Sequence, residues 1–367
     1  MKVLLVNVAC GTTSTGKICA GIAEKYEAEG HEVKVTYSRS EFVTAACKRY
    51  AVKIGSDKSI FFNILLNRIT DREGLYSKKA TKQFLEWAEE YNPDVLWLHN
   101  LHGYYINYEM LFKWIKSRPQ MQVKWTLHDC WAFTGHCAYF DMVGCNKWKD
   151  ECKGCPQKTI YPASYVLSNC NDNFNRKKRA FTGVNNMTII TPSNWLGNLV
   201  KESFLKEYPV EIVHNEIDKT VFKPLLGNFK SQYGIENKKM ILGVASVWEP
   251  RKGLNDFIEL SKKLNDDYKI VLVGLNKKQL KNLPKNIIGL ERTKNQKELV
   301  EIYTVADVFV NMTYEDNYPT VNLEAKACGT PILTYNTGGS PESAGDTAVV
   351  VETGDINAVC NWIIDNI

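Results

Sequence analysis

Short apolar runs recur along the chain with room for one helix between most neighbours, and this alternation constrains the fold more than any other feature. KVLLVNV (2–8), VKVTY (33–37), DVLWLH (94–99), VKWTL (123–127) and MTIIT (187–191) form one series. VEIVH (210–214) opens a second, with MILGVA (240–245), KIVLVG (269–274), NIIGL (286–290), DVFVN (307–311) and PILTY (331–335). Between them lie helical stretches near 77–91 and 108–116, and one over 16–29 with Ile18, Ile22 and Tyr26 on one face. Strand and helix in alternation predict βαβ units and parallel sheets. The 367 residues suit two domains, here 1–205 and 206–367, each an α/β doubly wound parallel sheet. Ligands of such sheets bind beyond the carboxyl ends of the strands, so the cleft between two facing domains is the expected site.

The 44% hydrophobic and 24% charged residues are those of a globular chain, with no run long enough to span a membrane. The chain enters a strand-like run directly after Met1 and Lys2 without a cleavable-signal layout, which predicts a cytoplasmic address. A net charge of +5 calls for no nucleic acid and suits contact with anionic lipid or phosphorylated ligands. Eleven cysteines, an odd number, argue against a disulfide framework.

GTTSTGKI (11–18) follows the first apolar run and nearly spells a nucleotide hydrolase phosphate loop. Ile18 stands where a magnesium-binding hydroxyl belongs, and no apolar strand ends in a plain Asp to anchor the metal. The turn still aims backbone amides and a helix start at the expected ligand edge. Gly11, Thr15, Gly16 and Lys17 are its candidate residues.

Residues 315–342 read EDNYPTVNLEAKACGTPILTYNTGGSPE. Pro319 suits a helix start, where its missing N–H costs nothing. The amides of Thr320, Val321 and Asn322 then point at the carboxyl end of the strand DVFVN, a phosphate-binding arrangement. Glu324, one turn on, is placed to reach ribose hydroxyls.

This block resembles the donor-binding half of retaining GT-B glycosyltransferases of family 4: an acid, Tyr-Pro, four residues and Glu-Ala, then Gly-x-Pro and Gly-Gly-x-Pro-Glu. WEPRKG (248–253) is similar to the segment whose Lys contacts the donor diphosphate, here Lys252, and VHNEIDKTVFKP (213–224) is similar to the entry to the second domain. LHNLHGYYIN (98–107) and TLHDCWAFTGHCAYF (126–140) resemble a subgroup of capsule and exopolysaccharide synthesis. The resemblance implies a GT-B fold of two Rossmann-like domains and a metal-independent sugar transfer with retention. The donor is a nucleotide sugar, UDP preferred, and the acceptor is a lipid-linked saccharide met peripherally at the inner membrane. By motif match His128 is the group beside the sugar, while His99 and His102 contact sugar or acceptor. The family's first acid lands on Asp316, with Glu315 beside it as the alternative. Ser246 replaces a family Arg, so Arg251 is expected to supply that charge. Family members continue with a helix crossing back to the first domain, so a chain stopping at Ile367 is expected to be truncated or short.

Cys137, Cys145, Cys152 and Cys155 follow a C-x7-C-x6-C-x2-C spacing within a Cys-rich loop at 130–158. A closed structural zinc site is one expectation, with His136 as a substitute ligand; unmetallated thiols are the other. Trp131, Phe133, Tyr139, Phe140 and Trp148 would form an apolar wall for a lipid acceptor or pack the loop down. A catalytically idle GT-B subunit and a P-loop-like NTPase are the alternative functions. The idle subunit predicts no turnover, and the NTPase requires magnesium-dependent ATP or GTP hydrolysis.

Overall fold

A computed structural model describes all residues 1–367, and the chain divides into two compact units at 214/215. In the first, β1 (Lys2–Val6), α1 (Thr13–Ala28), β2 (Glu32–Tyr37), β3 (Ala51–Lys53), α2 (Asp57–Thr70), α3 (Lys78–Tyr91) and β4 (Val95–Leu98) come first. They are followed by α4 (Tyr108–Lys116), β5 (Gln122–Thr126), α5 (Cys170–Phe181), β6 (Met187–Thr191), α6 (Asn194–Glu202) and β7 (Val210–Ile212). The seven strands are all parallel, in the order β3-β2-β1-β4-β5-β6-β7.

The second unit contains α7 (Phe229–Gln232), β8 (Lys239–Val244), α8 (Leu254–Lys263), β9 (Tyr268–Val273), α9 (Lys277–Lys281), β10 (Ile287–Leu290) and α10 (Gln296–Val305). It continues with β11 (Val308–Asn311), α11 (Thr320–Ala327), β12 (Ile332–Tyr335), α12 (Ser340–Ala344), β13 (Val349–Val351) and α13 (Ile356–Asn366). Six parallel strands run β10-β9-β8-β11-β12-β13.

Successive strand residues point to opposite faces, and both faces of each sheet are covered. In β1, Leu4 and Val6 enter one core cluster while Val3 and Leu5 enter another. In the second unit, Ile241, Leu272 and Val310 pack on one side, and Leu242, Val271 and Phe309 on the other. Double burial explains why these strands are continuous apolar runs instead of alternating ones.

One expectation is corrected and one element boundary moves. VEIVH does not open the second series: Val210–Ile212 pairs with β6 as the edge of the first sheet, and the second unit begins after it, at Asn215. Its half-exposed three residues carry too little pattern to name their sheet. Helix α1 begins at Thr13, three residues before the expected start at Gly16.

Candidate functional site

Each strand order reverses direction once, between β1 and β4 in the first unit and between β8 and β11 in the second. The loops leaving the carboxyl ends of such a pair splay apart and leave room for a ligand. The sequence-predicted residues gather at these two points.

In the first unit, the loops after β1, β4 and β5 are tied together by buried polar groups. The Asn7 amide donates to the Ala9 carbonyl (2.7 Å), while its side-chain oxygen accepts from the Asn100 amide (3.3 Å). His99 Nδ1 and His128 Nε2 lie 3.0 Å apart with the rings stacked. His99 Nε2 is buried with no partner. A bare buried nitrogen is better tolerated than an orphaned N–H, so His99 Nδ1–H donates to His128. Burial holds the His128 imidazole down to about 4, with His102 adding to the effect and Asp129 opposing it. His99 is also lowered well below its ordinary value, by burial and then by His128. Both rings are therefore neutral near pH 7.

His102 is gripped at both nitrogens, by Asp129 Oδ2 at 2.9 Å and by the Tyr161 hydroxyl at 2.8 Å. Burial pushes the Asp129 carboxyl up, but His102 and the Trp131 amide outweigh it and leave it ionised below its ordinary range. Beneath them Glu73 accepts the Gly103 and Tyr104 amides (2.7 and 2.8 Å) with one oxygen, and its other oxygen is buried without a partner. Burial raises the Glu73 carboxyl. Neither Glu73 nor Tyr161 belongs to a recognisable motif, and sequence reasoning missed both.

The turn after β1 has a φ of +82° at Gly11, where a Cβ would lie 2.5 Å from Cys47 Sγ and from Thr44 Oγ1. Gly16 is buried against Ala9, Thr15 is half-buried and Lys17 is exposed. A surface cavity lined by Gln122, Asn186, Met187 and Tyr208 opens at the amino ends of β5 and β6, the opposite edge of the sheet from the histidines.

In the second unit, the loop after β8 carries Arg251 and Lys252, and the loop after β11 carries Glu315 and Asp316. Lys252 Nζ is ion-paired with Asp316 Oδ2, both side chains largely buried. Arg251 donates to the Glu315 carbonyl (2.8 Å) and to Glu249 (3.0 Å). Gly253, at φ +73°, lets this loop lie against the Met312 carbonyl, which a Cβ would approach to 2.1 Å.

Pro319 stands immediately before α11, and Thr320 and Val321 open that helix at the same edge. The Asn322 amide instead donates to the Pro319 carbonyl (3.2 Å). Its side chain is fully buried, donating to Ser340 and Ser343 and accepting from Asn311. Of the three expected amides, that of Asn322 is thus spent on the helix start. Glu324 accepts the Tyr303 hydroxyl at 2.9 Å, which fixes its carboxylate.

The cysteines do not assemble as a four-ligand set. Cys137 and Cys155 share a thiol hydrogen bond that holds Cys155 down to about 6, aided by His136. Cys152 accepts the Gly135 amide (3.2 Å), and Cys145 packs against the apolar core. His136 is buried against Asp71 through Nδ1 and meets the Ile160 carbonyl through Nε2. No group of three or more His, Cys, Asp or Glu side chains converges in metal-binding geometry. Trp131, Phe133, Phe140 and Trp148 are buried and pack the loop down instead of forming an exposed wall.

Residues 227–365, nearly all of the second unit, match the family model described as Glycosyl transferases group 1. The fold is that of the GT-B class. It aligns with sucrose-phosphate synthase from Thermosynechococcus elongatus over 99% of this chain and 89% of that one (TM-score 0.68, 14% identity). HepE of Anabaena, solved in complex with UDP-glucose, aligns over 100% and 89% (TM-score 0.61, 14% identity). Among curated proteins, one of Escherichia coli (strain K12), provisionally named the colanic acid biosynthesis glycosyl transferase WcaC, is 25% identical over 66% of this chain and 59% of its own length. The chain spans about half the length of the curated relatives it matches.

Proposed function

We propose that the protein is a retaining glycosyltransferase. It would move a sugar from a nucleoside diphosphate sugar, UDP-linked by preference, to a hydroxyl of a lipid-linked saccharide in surface polysaccharide synthesis. The observation that carries this is the Lys252–Asp316 pair at the reversal point of the second sheet, below the start of α11.

A diphosphate arriving there is offered one fixed ammonium, the Arg251 guanidinium beside it, and the amides of Thr320 and Val321 at a helix start. These donors stabilise the charge that develops as the sugar–phosphate bond breaks, so no metal is required. Asp316 holds Lys252 in place until phosphate replaces it, and Glu324, oriented by Tyr303, takes the ribose hydroxyls. In the first unit His128, neutral near pH 7, offers a polar nitrogen to the sugar without adding positive charge beside an oxocarbenium-like centre. His99 orients His128, while His102 and the loop at Gly11, Thr15, Gly16 and Lys17 serve the acceptor.

The colanic acid name of the bacterial relative and the UDP-glucose bound by HepE support this polymer class and donor. No helix is long and apolar enough to cross a membrane, and we place the protein on the cytoplasmic face of the inner membrane. Incubation with labelled nucleotide sugars and a bacterial lipid extract tests the reading. Label is expected to enter the solvent-extractable lipid fraction in EDTA, with equimolar nucleoside diphosphate release and an α-linked product from an α-linked donor. Hydrolysis of ATP or GTP only with magnesium, and no sugar transfer, would contradict it.

A further inference from the structure

Helix α2 is packed the wrong way round for a helix of a globular core. Its inward side holds Ile60 together with Asn63 and Asn67. Asn63 donates to Ser77 Oγ (2.7 Å) and the Tyr104 carbonyl (2.9 Å), and Asn67 donates to the Pro162 and Ala163 carbonyls. Its outward side carries Phe61 (63% exposed), Phe62 (60%), Leu65 (40%) and Ile69 (50%). At 100° per residue these four share one face about 100° wide. Lys58, at the N-terminal end of this face, and Arg68, along its margin, are both exposed.

A second apolar segment extends the face. The Tyr165 amide donates to the Arg68 carbonyl (2.7 Å) and the Leu167 amide to the Ile69 carbonyl (2.9 Å), which lays residues 160–167 along the end of α2. Ile160, Tyr161, Tyr165, Val166 and Leu167 are all more than two-fifths exposed. Lys158 Nζ donates to the Val166 carbonyl and adds a third cation at the edge. Neither 58–70 nor 156–168 contains an acidic residue, and Asp57 just before them is neutralised by Lys53 at 2.9 Å.

We propose that this face, formed by α2 and residues 160–167, docks the protein onto an anionic lipid bilayer. An apolar ridge with aromatic side chains and a cationic margin has the chemistry of the headgroup–acyl boundary, where apolar burial and attraction to anionic lipid act together. Stable exposure of so large an apolar surface otherwise disfavours a dissolved chain. The face also adjoins the candidate acceptor groups, since Tyr161 stands in the ridge and its hydroxyl lies 2.8 Å from His102. Resting on the transferase reading for this step, a bilayer seated here brings a lipid-carried hydroxyl to His102 and His128.

Sedimentation with vesicles of phosphatidylcholine, alone or mixed with phosphatidylglycerol, tests the proposal in the full chain. Wild-type protein is expected to pellet with the anionic vesicles, less so in high salt and less with neutral vesicles. Phe61→Ser/Phe62→Ser, on exposed positions, should keep the circular dichroism spectrum and lower vesicle affinity at least about tenfold. Leu65→Ser/Ile69→Ser serves as the second variant. Failure of wild type to bind either vesicle, or equal binding by both folded variants, would overturn the docking face. So would light scattering that shows a dimer dissolved by the same substitutions, since a second copy would then cover the ridge. Nucleoside diphosphate binding reads the second unit alone. Vesicle failure beside retained nucleotide binding therefore overturns the docking face and leaves the transferase reading standing.

Discussion

Gly338 adopts a φ of +55°, and a Cβ there would lie 2.0 Å from the Asp316 carbonyl oxygen. The Gly-Gly turn thus sets the height of the backbone that carries the Lys252 partner. Gly338→Ala adds left-handed strain of roughly 1–2 kcal/mol and displaces Asp316. Nucleoside diphosphate affinity should fall at least about tenfold, with a lower melting temperature; calorimetric titration and a melting curve read both. His128 sets a pH dependence. Its folded imidazole titrates near 4, whereas an unfolded one takes its proton near 6.5. The unfolded state binds more protons between those values, so stability is full above pH 6.5 and is lost as pH falls toward 4. His128→Asn should remove on the order of 2–3 kcal/mol of that loss. Equal drops in melting temperature for wild type and variant between pH 7.5 and 4.5 would contradict the assignment. At this scale the sequence singled out Lys252, Asp316, His128 and Glu324 by spacing within motifs. Glu73, Tyr161 and Tyr303 were illegible because each meets its partner across long sequence separations, with no local pattern to mark it.

Helix α11 is held by one side chain more than by its length. Asn322, fully buried, bonds β11 through Asn311 and α12 through Ser340 and Ser343. Asn322→Ala leaves several buried polar groups without partners and should cost about 2–4 kcal/mol, lowering the melting temperature of the second unit by several degrees. An unchanged melting curve would show the network to be dispensable. In the Cys-rich loop, separate partners for Cys152 and Cys155 and an Asp71-bound His136 predict that EDTA leaves the melting temperature unchanged and that elemental analysis finds no stoichiometric zinc. A metal-dependent shift would contradict that. Long buried strands such as β1, β8 and β9 were plain in the sequence as unbroken apolar runs. The short edge strands β3 and β13, three residues each, offer too little period to read, and β7, legible as a strand, was too short to name its sheet. Helix α2 was missed because its apolar side faces out, and α5 because its mean composition is strongly polar despite buried Phe174 and Phe181.

At the scale of the whole molecule, two parallel sheets each reverse strand order once, and each reversal gathers the groups the sequence singled out. The first collects neutral histidines and a carboxylate-held His102; the second collects an ammonium, a guanidinium and a helix start. On the proposed function this division would give the first unit the acceptor and the second the donor, with Lys252 as the group on which donor binding turns. Calorimetric titration of the full chain with UDP in EDTA, alongside Lys252→Ala, tests that most directly. We predict saturable one-site binding by the wild type without metal and at least about tenfold weaker binding by the variant, a charge-assisted contact being worth roughly 1.5–3 kcal/mol. Equal affinity of the two proteins, or binding of ATP or GTP only with magnesium, would contradict the account.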